Sequence, residues 1–491
     1  MNELIYQSTR SGSLTATAAR AILAGIAPDG GLYTPASFSG VQLDVAEVLT
    51  LPPLERAARV LAALLPGFEE EELLALAHAA YDGKFASDEL TPTAFVGENA
   101  VLELYHGPTS AFKDVALCLL PHLMRAAAKK CGESGEALIL TATSGDTGKA
   151  AMSGFCGVPG ARVIVFYPEN GVSAVQKAQM VTQTGDNVLA CAVRGNFDDA
   201  QTGVKRIFAG GMPGLSSANS INIGRLAPQV VYYFSAYQAM AAGGKINLGD
   251  TIDFVVPTGN FGDILAGFIA RQLGLPIGKL VCASNANDVL TEFLRTGHYD
   301  RRRPFHQTLS PSMDILVSSN LERLLFLLSG DEALVASLMR QLADEGHYRA
   351  PDALLAQLKA LFWAGCCDDE ATCRTIGEVW HRHGYLIDTH TAVAWNVAQQ
   401  YKAAAPEHRP LAVLSTASPY KFPQAVLRGL GLDVPEDGFE AIRALEAATA
   451  IPVPEGLRGL DTRPVLHKDV IDVDEMPDYV QRKSQEAVWT R

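Results

Sequence analysis

From about residue 95 onward, short apolar runs alternate with segments in which apolar residues recur at helical spacing. Six of the runs have the length and composition of buried strands, at 137–143, 161–168, 187–195, 251–257, 279–285 and 411–416. Strands that alternate with helices of this length predict parallel β-α-β units, whose sheets are buried on both faces. We therefore predict an α/β fold in which ligands bind at the carboxyl ends of the strands.

The first 90 or so residues have a different pattern. Ala and Leu recur at helical spacing, most clearly in the segment LPPLERAARVLAALLPGFEEEELLALAHAAYDG at 51–83. The segment APDGGLY at 27–33 contains Pro and paired Gly, which are typical of a turn. This region is predicted to form a small, mostly helical domain that contributes packing and substrate enclosure rather than chemistry.

Composition and charge narrow the class of protein. The chain has 491 residues, of which 48% are hydrophobic and 19% charged, and a net charge of -14 without a basic run, which counts against a nucleic-acid surface. No apolar stretch reaches the roughly 18 residues of a membrane-spanning helix, and no signal-peptide pattern begins the sequence. The eight cysteines follow no regular framework, as is typical of reduced thiols. We expect a cytoplasmic monomer or small homo-oligomer without nucleic-acid or membrane partners.

One group of residues resembles a metal site at first sight. Cys366, Cys367 and Cys373 lie close in sequence to His381 and His383. Their spacing fits no standard zinc pattern, and the acidic residues among them suggest a solvated loop or helix start. We expect no metal.

The loop PTGNFGD at 257–263 lies between a predicted strand and a predicted helix. Gly259 and Gly262 allow a tight turn and a close approach of the backbone to a ligand. The N-terminus of the following helix offers unpaired N–H groups and the positive end of a dipole. These features favour a phosphate-binding loop, although a plain strand-to-helix turn has the same outline.

A second loop, TATSGDTGKA at 141–150, also joins a strand to a helix and offers several hydroxyl and N–H groups to an anion. It is not a Walker A loop, because Thr143 and Ala150 stand where Gly and Ser or Thr are required. The G-x-G-x-x-G pattern of dinucleotide-binding proteins is absent from it. Neither a nucleoside triphosphate nor NAD is therefore supported.

The third feature is Lys113, in the segment YHGPTSAFKD at 105–114. A single lysine is usually a surface charge. Lys113, however, follows an aromatic and small residues and precedes the apolar run VALCLLPHLM, where a fully solvated lysine is less expected. A lysine that is partly withdrawn from water has a lowered pKa, so its amine can form a Schiff base.

The segment from His106 to Asp114 resembles the cofactor-lysine motif of threonine synthase, a family of pyridoxal-phosphate enzymes of fold type II. Further motifs follow in family order, at 6–10, 27–33, 143–148, 220–225, 257–262, 387–392 and 414–422. The resemblance runs nearly end to end. It implies a fold like that of the tryptophan synthase β subunit, with two parallel or mixed sheets, each covered by helices, and a small N-terminal domain.

The resemblance also implies a domain division and a reaction. Residues 1–92 would form the N-terminal domain, 93–139 with 236–491 the large cofactor-binding domain, and 140–235 a smaller, mobile lobe. The family converts O-phospho-L-homoserine and water to L-threonine and phosphate, the last step of threonine biosynthesis, and is a carbon–oxygen lyase acting on phosphate. Lys113 would carry pyridoxal 5′-phosphate and then move protons at Cα and Cβ of the substrate.

Site roles follow from the same resemblance. For the cofactor they are Phe112 beside the ring, Asp146 on the O3′ side, the loop residues Thr258, Gly259, Asn260, Phe261 and Gly262 at the phosphate, and Thr416 at the pyridine nitrogen. For the substrate they are Arg225 at the phosphate, whose guanidinium suits that group, with Ser144, Thr147, Lys149 and Asn222 in support. A turn residue that caps its own backbone is an equal alternative for Asn222.

Some residues depart from the family pattern, and some alternatives stay open. Ile223, Thr389, Ser418 and Tyr420 are the departures, and His390 is left as a candidate structural histidine. A related phospho-lyase that releases 2-oxobutyrate would share every cofactor motif. A serine or threonine dehydratase would leave Arg225 without a role. A non-catalytic protein that binds the cofactor would not need an intact lysine motif.

Overall fold

The N-terminal region combines a small antiparallel sheet with helices. The computed structural model describes residues 4–143, 145–212, 214–405, 407–486 and 489. The N-terminal elements are β1 (Tyr6–Ser8), β2 (Ser11–Ala16), α1 (Ala18–Ala24), β3 (Tyr33–Pro35), α2 (Val45–Thr50), α3 (Pro53–Leu64) and α4 (Glu70–Tyr81). The strands have the order β2-β1-β3 and pair antiparallel. The apolar spacing predicted the helices of this region but not its short strands.

The middle of the chain alternates strand and helix, as its apolar runs predict. Its elements are β4 (Thr93–Val96), β5 (Asn99–Glu103), α5 (Lys113–Lys130), β6 (Ala137–Ala142), α6 (Asp146–Phe155), β7 (Ala161–Pro168), α7 (Ala174–Val181), β8 (Val188–Arg194), α8 (Phe197–Ala209), β9 (Leu215–Ser216) and α9 (Ile223–Ala242). Helices α7 and α8 both begin with a reciprocal pair of cap hydrogen bonds, Ser173 with Gln176 and Asn196 with Asp199. Such boxes satisfy backbone donors that the first helical turn leaves free, and so fix where each helix starts.

The same alternation continues to the end of the chain. The remaining elements are β10 (Ile252–Pro257), α10 (Gly262–Gln272), β11 (Ile277–Ser284), α11 (Val289–Thr296), β12 (His298–Asp300), α12 (Leu321–Ser329), α13 (Glu332–Asp344), β13 (His347–Arg349), α14 (Asp352–Leu361), β14 (Phe362–Cys366), α15 (Asp369–His383), α16 (Thr389–Ala404), β15 (Leu411–Ser415), α17 (Pro423–Gly429), α18 (Gly438–Thr449), β16 (Val470–Asp472) and α19 (Met476–Gln485). Short 3-10 turns lie at Pro311–Met313, Pro419–Lys421, Leu460–Thr462 and Val473–Glu475.

Two mainly parallel sheets form the body of the molecule, which confirms the α/β prediction. The larger has the order β14-β11-β10-β15-β5-β4, parallel except for the antiparallel pair β4–β5. The smaller has the order β16-β8-β7-β6-β9 and is parallel throughout. Each of the six predicted strands lies in one of these sheets, and β7 is buried along its whole length. Their carboxyl ends carry the loops in which we predicted the chemistry.

One strand crosses the predicted domain division. β16 pairs with β8, Val470 opposite Ala192, so a segment assigned to the large domain by sequence completes the sheet of the smaller lobe. The division at 1–92, 140–235 and the remainder stays a prediction. A three-residue strand gives almost no periodic signal, so the sequence pattern did not predict β16.

Within the described part of the chain, no helix is long and apolar enough to cross a membrane.

Candidate functional site

Lys113 is the first residue of α5, and the segment before it is attached to the end of β15. The backbone N–H of Phe112 donates to the carbonyl oxygen of Thr416 at 2.9 Å, and that of Leu104 donates to the carbonyl of Ser415 at 2.9 Å. The predicted lysine motif and the predicted end of the strand at 411–416 are therefore brought together. This places Thr416, which is buried, beside the start of the lysine helix.

The side chain of Lys113 is almost completely enclosed, with 11% of it exposed. Its Nζ lies 3.3 Å from Oγ of Ser312 and 3.8 Å from Oδ2 of Asp146. Burial lowers the pKa of Lys113, the carboxylate of Asp146 opposes that shift, and the cations Lys421 and Arg225 reinforce it. The amine is therefore easier to deprotonate than an ordinary lysine, as Schiff-base chemistry requires.

Asp146 is held as a carboxylate by a buried cation that the sequence reasoning did not single out. Nζ of Lys421 lies 2.7 Å from its Oδ1, and Nε2 of Gln176 donates to the same oxygen at 3.0 Å. Burial alone would raise the pKa of Asp146, but Lys421 and Lys113 hold it well below its usual range. Lys421 also donates to the carbonyl of Thr109 at 3.1 Å, which connects it to the lysine motif.

The predicted phosphate loop has the tight backbone that it requires. A Cβ added at Gly259 would lie 2.7 Å from the carbonyl oxygen of Ser312, so only glycine fits there. Phe261 has the left-handed φ of 63° and precedes Gly262, with which α10 begins. The first N–H groups of a helix have no acceptor within it, and its dipole favours an anion. The loop therefore fits a phosphate ester such as that of the predicted cofactor.

Asp263, directly after this loop, is a buried acid on the first turn of α10. The hydroxyl of Tyr232 donates to its Oδ1 at 2.5 Å and that of Tyr233 at 3.2 Å, whereas its Oδ2 has no partner among the described residues. Burial raises the pKa of Asp263 to about 7, although both hydroxyls lower it. Below about pH 7 this acid is therefore mostly protonated and adds little negative charge to the start of α10.

The raised pKa predicts how stability depends on pH. Between the ordinary pKa of 3.8 and about 7, the folded protein binds more protons at Asp263 than the unfolded chain. Stability from this group is therefore lost as the pH rises through that window. Asp263→Asn keeps an acceptor for Tyr232 but does not titrate. Its unfolding free energy relative to wild type should increase by about 3 kcal/mol between about pH 5 and pH 8. Denaturant titrations at both pH values measure this, and parallel pH profiles would contradict it.

Arg225 is a buried cation with no acidic partner among the described residues. It is 3% exposed, its Nη1 donates to the carbonyl of Ala218 at 2.9 Å, and its Nε has no partner within the described chain. Burial lowers its pKa to about 10, and no carboxylate of the described residues counters this. A buried charge is strongly unfavourable unless it is paired. The side chain is therefore prepared to receive an anion.

The other residues predicted for the substrate phosphate differ in their surroundings. Asn222 caps α9, with Oδ1 accepting from the N–H of Gly224 at 2.8 Å and Nδ2 donating to the carbonyl of Ile22 at 2.9 Å. Both of its polar groups thus serve the protein itself, which is the alternative interpretation of this residue. Thr147 is partly exposed in the first turn of α6, and Ser144 lies outside the described residues.

Lys149 points to a different place from the one its sequence position suggested. Its Nζ donates to the side-chain oxygen of Gln183, and it lines a cavity together with Thr182 and Arg463. Burial lowers its pKa to about 8, and Arg463 contributes to the shift.

His390, whose role the sequence left open, holds the segment that approaches Lys113. Its Nδ1 lies 2.7 Å from Oδ2 of Asp388, and its Nε2 lies 3.2 Å from the backbone nitrogen of Ser312. Because a backbone N–H only donates, Nε2 must accept and the ring proton must be on Nδ1. Ser312 could not be singled out from the sequence, because the surrounding loop has neither periodicity nor a recognised motif.

No group of three or more His, Cys, Asp or Glu side chains in the described structure is arranged to hold a metal ion.

Comparison with known proteins identifies the class to which this site belongs. A family model described as pyridoxal-phosphate dependent enzyme matches residues 97–361. Models of the threonine synthase N terminus and of the threonine synthase C-terminal part match residues 5–81 and 391–482. The protein is a pyridoxal-phosphate-dependent enzyme, and pyridoxal phosphate is its cofactor.

Comparison with individual relatives shows to which family of these enzymes the chain belongs. Threonine synthase of Pseudomonas aeruginosa is 41% identical over 87% of this chain and 90% of that protein. The crystal structure of pyridoxal-phosphate-bound threonine synthase from Brucella melitensis superposes with a TM-score of 0.87 and 36% identity, over 98% of this chain and 100% of that one. Human threonine synthase-like 1 is 39% identical over 88% of this chain, which spans 60% of the length of that protein. The chain belongs to the threonine synthase family, and the predicted fold class is confirmed.

Proposed function

We propose that this enzyme is a threonine synthase that converts O-phospho-L-homoserine and water to L-threonine and phosphate, as a carbon–oxygen lyase acting on phosphate. The observation that carries the proposal is Arg225. It is a buried cation that pairs with no carboxylate of the described residues, and its charge helps to lower the pKa of Lys113. An amino-acid substrate joined to Lys113's cofactor and bearing a phosphate on its side chain would supply the missing anion.

Bound pyridoxal phosphate supplies an electron sink for carbanions at the substrate. In our proposal Lys113 holds it, with the loop from Thr258 to Gly262, including Gly259, Asn260 and Phe261, at its phosphate. Phe112 would pack beside its ring, and Thr416 would hydrogen-bond its pyridine nitrogen. A neutral hydroxyl there would leave that nitrogen largely unprotonated, so proton movements by the protein would carry more of the catalysis.

Lys113 is the acid and base in this proposal. Its amine has a lowered pKa and can accept the proton of Cα and then that of Cβ as the phosphate leaves Cγ. It can return one proton at Cγ, which becomes the methyl group, and one at Cα after water has added its oxygen at Cβ. Asp146 does not take that part, because its pKa is held so low that it stays ionised. We propose instead that Asp146, on the O3′ side of the cofactor, acts as a fixed anion that orients protonated groups around it.

At the leaving phosphate we propose Arg225, with Thr147 as a second donor from the first turn of α6. The guanidinium fork matches two phosphate oxygens at once, which a lysine cannot do. Lys149 and Asn222 are not needed in this proposal, because their polar groups contact Gln183, Ile22 and Gly224.

Product analysis tests the proposal. Incubation with O-phospho-L-homoserine in ¹⁸O-labelled water should release one phosphate per L-threonine, and the label should appear in the threonine hydroxyl because that oxygen comes from water. Mass spectrometry of the products measures both. Phosphate accompanied by 2-oxobutyrate and ammonia would replace the proposal with a phospho-lyase. If no phosphate is released, neither reaction is catalysed, and a protein that only binds the cofactor becomes the better interpretation.

A further inference from the structure

The hydroxyl of Ser312 lies between the amine of Lys113 and the carboxylate of Asp146. Nζ of Lys113 is 3.3 Å from Oγ, and Oγ is 3.4 Å from Oδ2 of Asp146. The direct distance from Nζ to Oδ2 is 3.8 Å, which is too long for a hydrogen bond. The hydroxyl can accept from the nitrogen and donate to the carboxylate at the same time, which strengthens both bonds.

The backbone of Ser312 is fixed from two sides. Its N–H donates to Nε2 of His390 at 3.2 Å, and the His390 ring is oriented by Asp388 at 2.7 Å. Its carbonyl packs on Gly259, where an added Cβ would approach to 2.7 Å. The hydroxyl is therefore held close to Lys113 by both the His390 helix and the phosphate loop.

We propose that Ser312 is a catalytic residue of this enzyme, whose hydroxyl keeps a proton on the nitrogen of Lys113 by connecting it to Asp146, and that His390 and Asp388 are its positioning residues. This inference rests on Lys113 carrying the cofactor, as in the proposed function, but not on the identity of the substrate. A protonated nitrogen bonded through the hydroxyl to a fixed carboxylate is stabilised relative to the neutral one. Lys113 then has a proton to return to the substrate.

Other charged groups face the same nitrogen and stay in place when only the hydroxyl is removed. They are Asp146 from α6, Lys421 after β15, Arg225 from α9 and Asp114 on the lysine helix itself. A change caused by Ser312→Ala is therefore attributable to the lost hydrogen bonds. Since a hydrogen bond to a charged group is worth on the order of one pKa unit or more, the shift is measurable.

The test is a pH titration of the visible absorbance of the holoenzyme without substrate. In Ser312→Ala the midpoint should fall by about one unit relative to wild type, because the protonated nitrogen loses an acceptor. Ser312→Thr retains a hydroxyl and should keep the wild-type midpoint. Equal midpoints in wild type and Ser312→Ala would overturn the proposal. If neither titrates in the accessible range, the ¹⁵N resonance of the Lys113 side chain at fixed pH gives the same comparison.

His390 variants test the positioning. His390→Gln can present an amide oxygen to the N–H of Ser312, whereas His390→Phe cannot. The midpoint of the absorbance titration should fall in His390→Phe and stay near that of wild type in His390→Gln. If the two variants have the same midpoint, His390 does not position Ser312. Should Ser312→Ala not fold, Ser312→Cys replaces it with the same expected fall, because a thiol is a weak hydrogen-bonding group. If no threonine forms from phosphohomoserine, these titrations still decide the role of Ser312.

Discussion

Replacing Lys113 with alanine should reduce threonine formation at least about 10³-fold and remove the visible absorbance of the bound cofactor. The expected loss is large because one amine both attaches the cofactor and moves the protons of each later step. Lys421, a buried lysine that also contacts Asp146, is not free to replace it, since its Nζ is already bonded to Asp146, Thr109 and Gln179. Steady-state phosphate release and an absorbance spectrum after incubation with pyridoxal phosphate measure the two losses.

Lys279→Ala is the matched control for that variant. Burial also lowers the pKa of Lys279, but its Nζ donates to the carbonyls of Lys359 and Ala360, both at 2.7 Å, remote from the loops of the site. The control should keep both activity and absorbance. Addition of a small primary amine should restore part of the activity of Lys113→Ala if only the amine is missing. A Lys113→Ala enzyme that retains the absorbance band would show that another lysine carries the cofactor.

The parts of the site that could be predicted from sequence are those formed by contiguous segments. The loop at 257–263 and the lysine motif each carry their chemistry within ten residues, next to elements whose apolar pattern is strong. The helix that follows the loop and the strand end at Thr416 were predicted for the same reason. A βα loop at the carboxyl end of a buried parallel strand has little freedom in where it lies.

What could not be predicted depends on contacts between distant segments. Ser312 reaches Lys113 across about two hundred positions of sequence, from a loop whose shape is set by His390 and Gly259. Lys421 lies in the motif at 414–422, yet nothing in the neighbouring sequence shows that it pairs with Asp146. The strand β16 is too short to give a pattern and exists only because β8 offers it an edge.

The local charges are compatible with the proposed binding of two phosphate groups by an acidic protein. The chain has a net charge of -14, but Lys113, Lys421 and Arg225 are gathered in one buried region where Asp146 is the main anion. In a medium of low dielectric constant such charges act strongly at short range, whereas the surface charge is screened by salt. The overall charge therefore says little about the site, and the buried excess of positive charge supports the proposed complex of a phosphorylated cofactor with a phosphorylated substrate.

Arg225→Met should lower kcat/KM for O-phospho-L-homoserine by about 10²–10³-fold, because loss of a buried partner of a charged group costs several kcal/mol. Arg225→Lys keeps the charge but cannot bind two phosphate oxygens at once, so its activity should lie between that of Arg225→Met and that of wild type. Phosphate release at several substrate concentrations measures the change. Binding of an amino acid without a phosphate, followed by the absorbance of the cofactor, should be nearly unchanged and serves as the internal control.

The same substitution should leave the substrate-free enzyme at least as stable as wild type. Arg225 is buried, its Nε lacks a partner in the described structure, and no carboxylate there offsets its charge, so folding it into the protein is costly. Methionine has a similar length and no charge, so Arg225→Met removes that cost and loses only the hydrogen bond to the carbonyl of Ala218. A thermal unfolding midpoint at or above that of wild type, together with the loss of activity, would show that Arg225 is kept for the phosphate rather than for the fold. A markedly lower midpoint with unchanged activity would show the opposite, and the assignment of the substrate phosphate to Arg225 would be wrong.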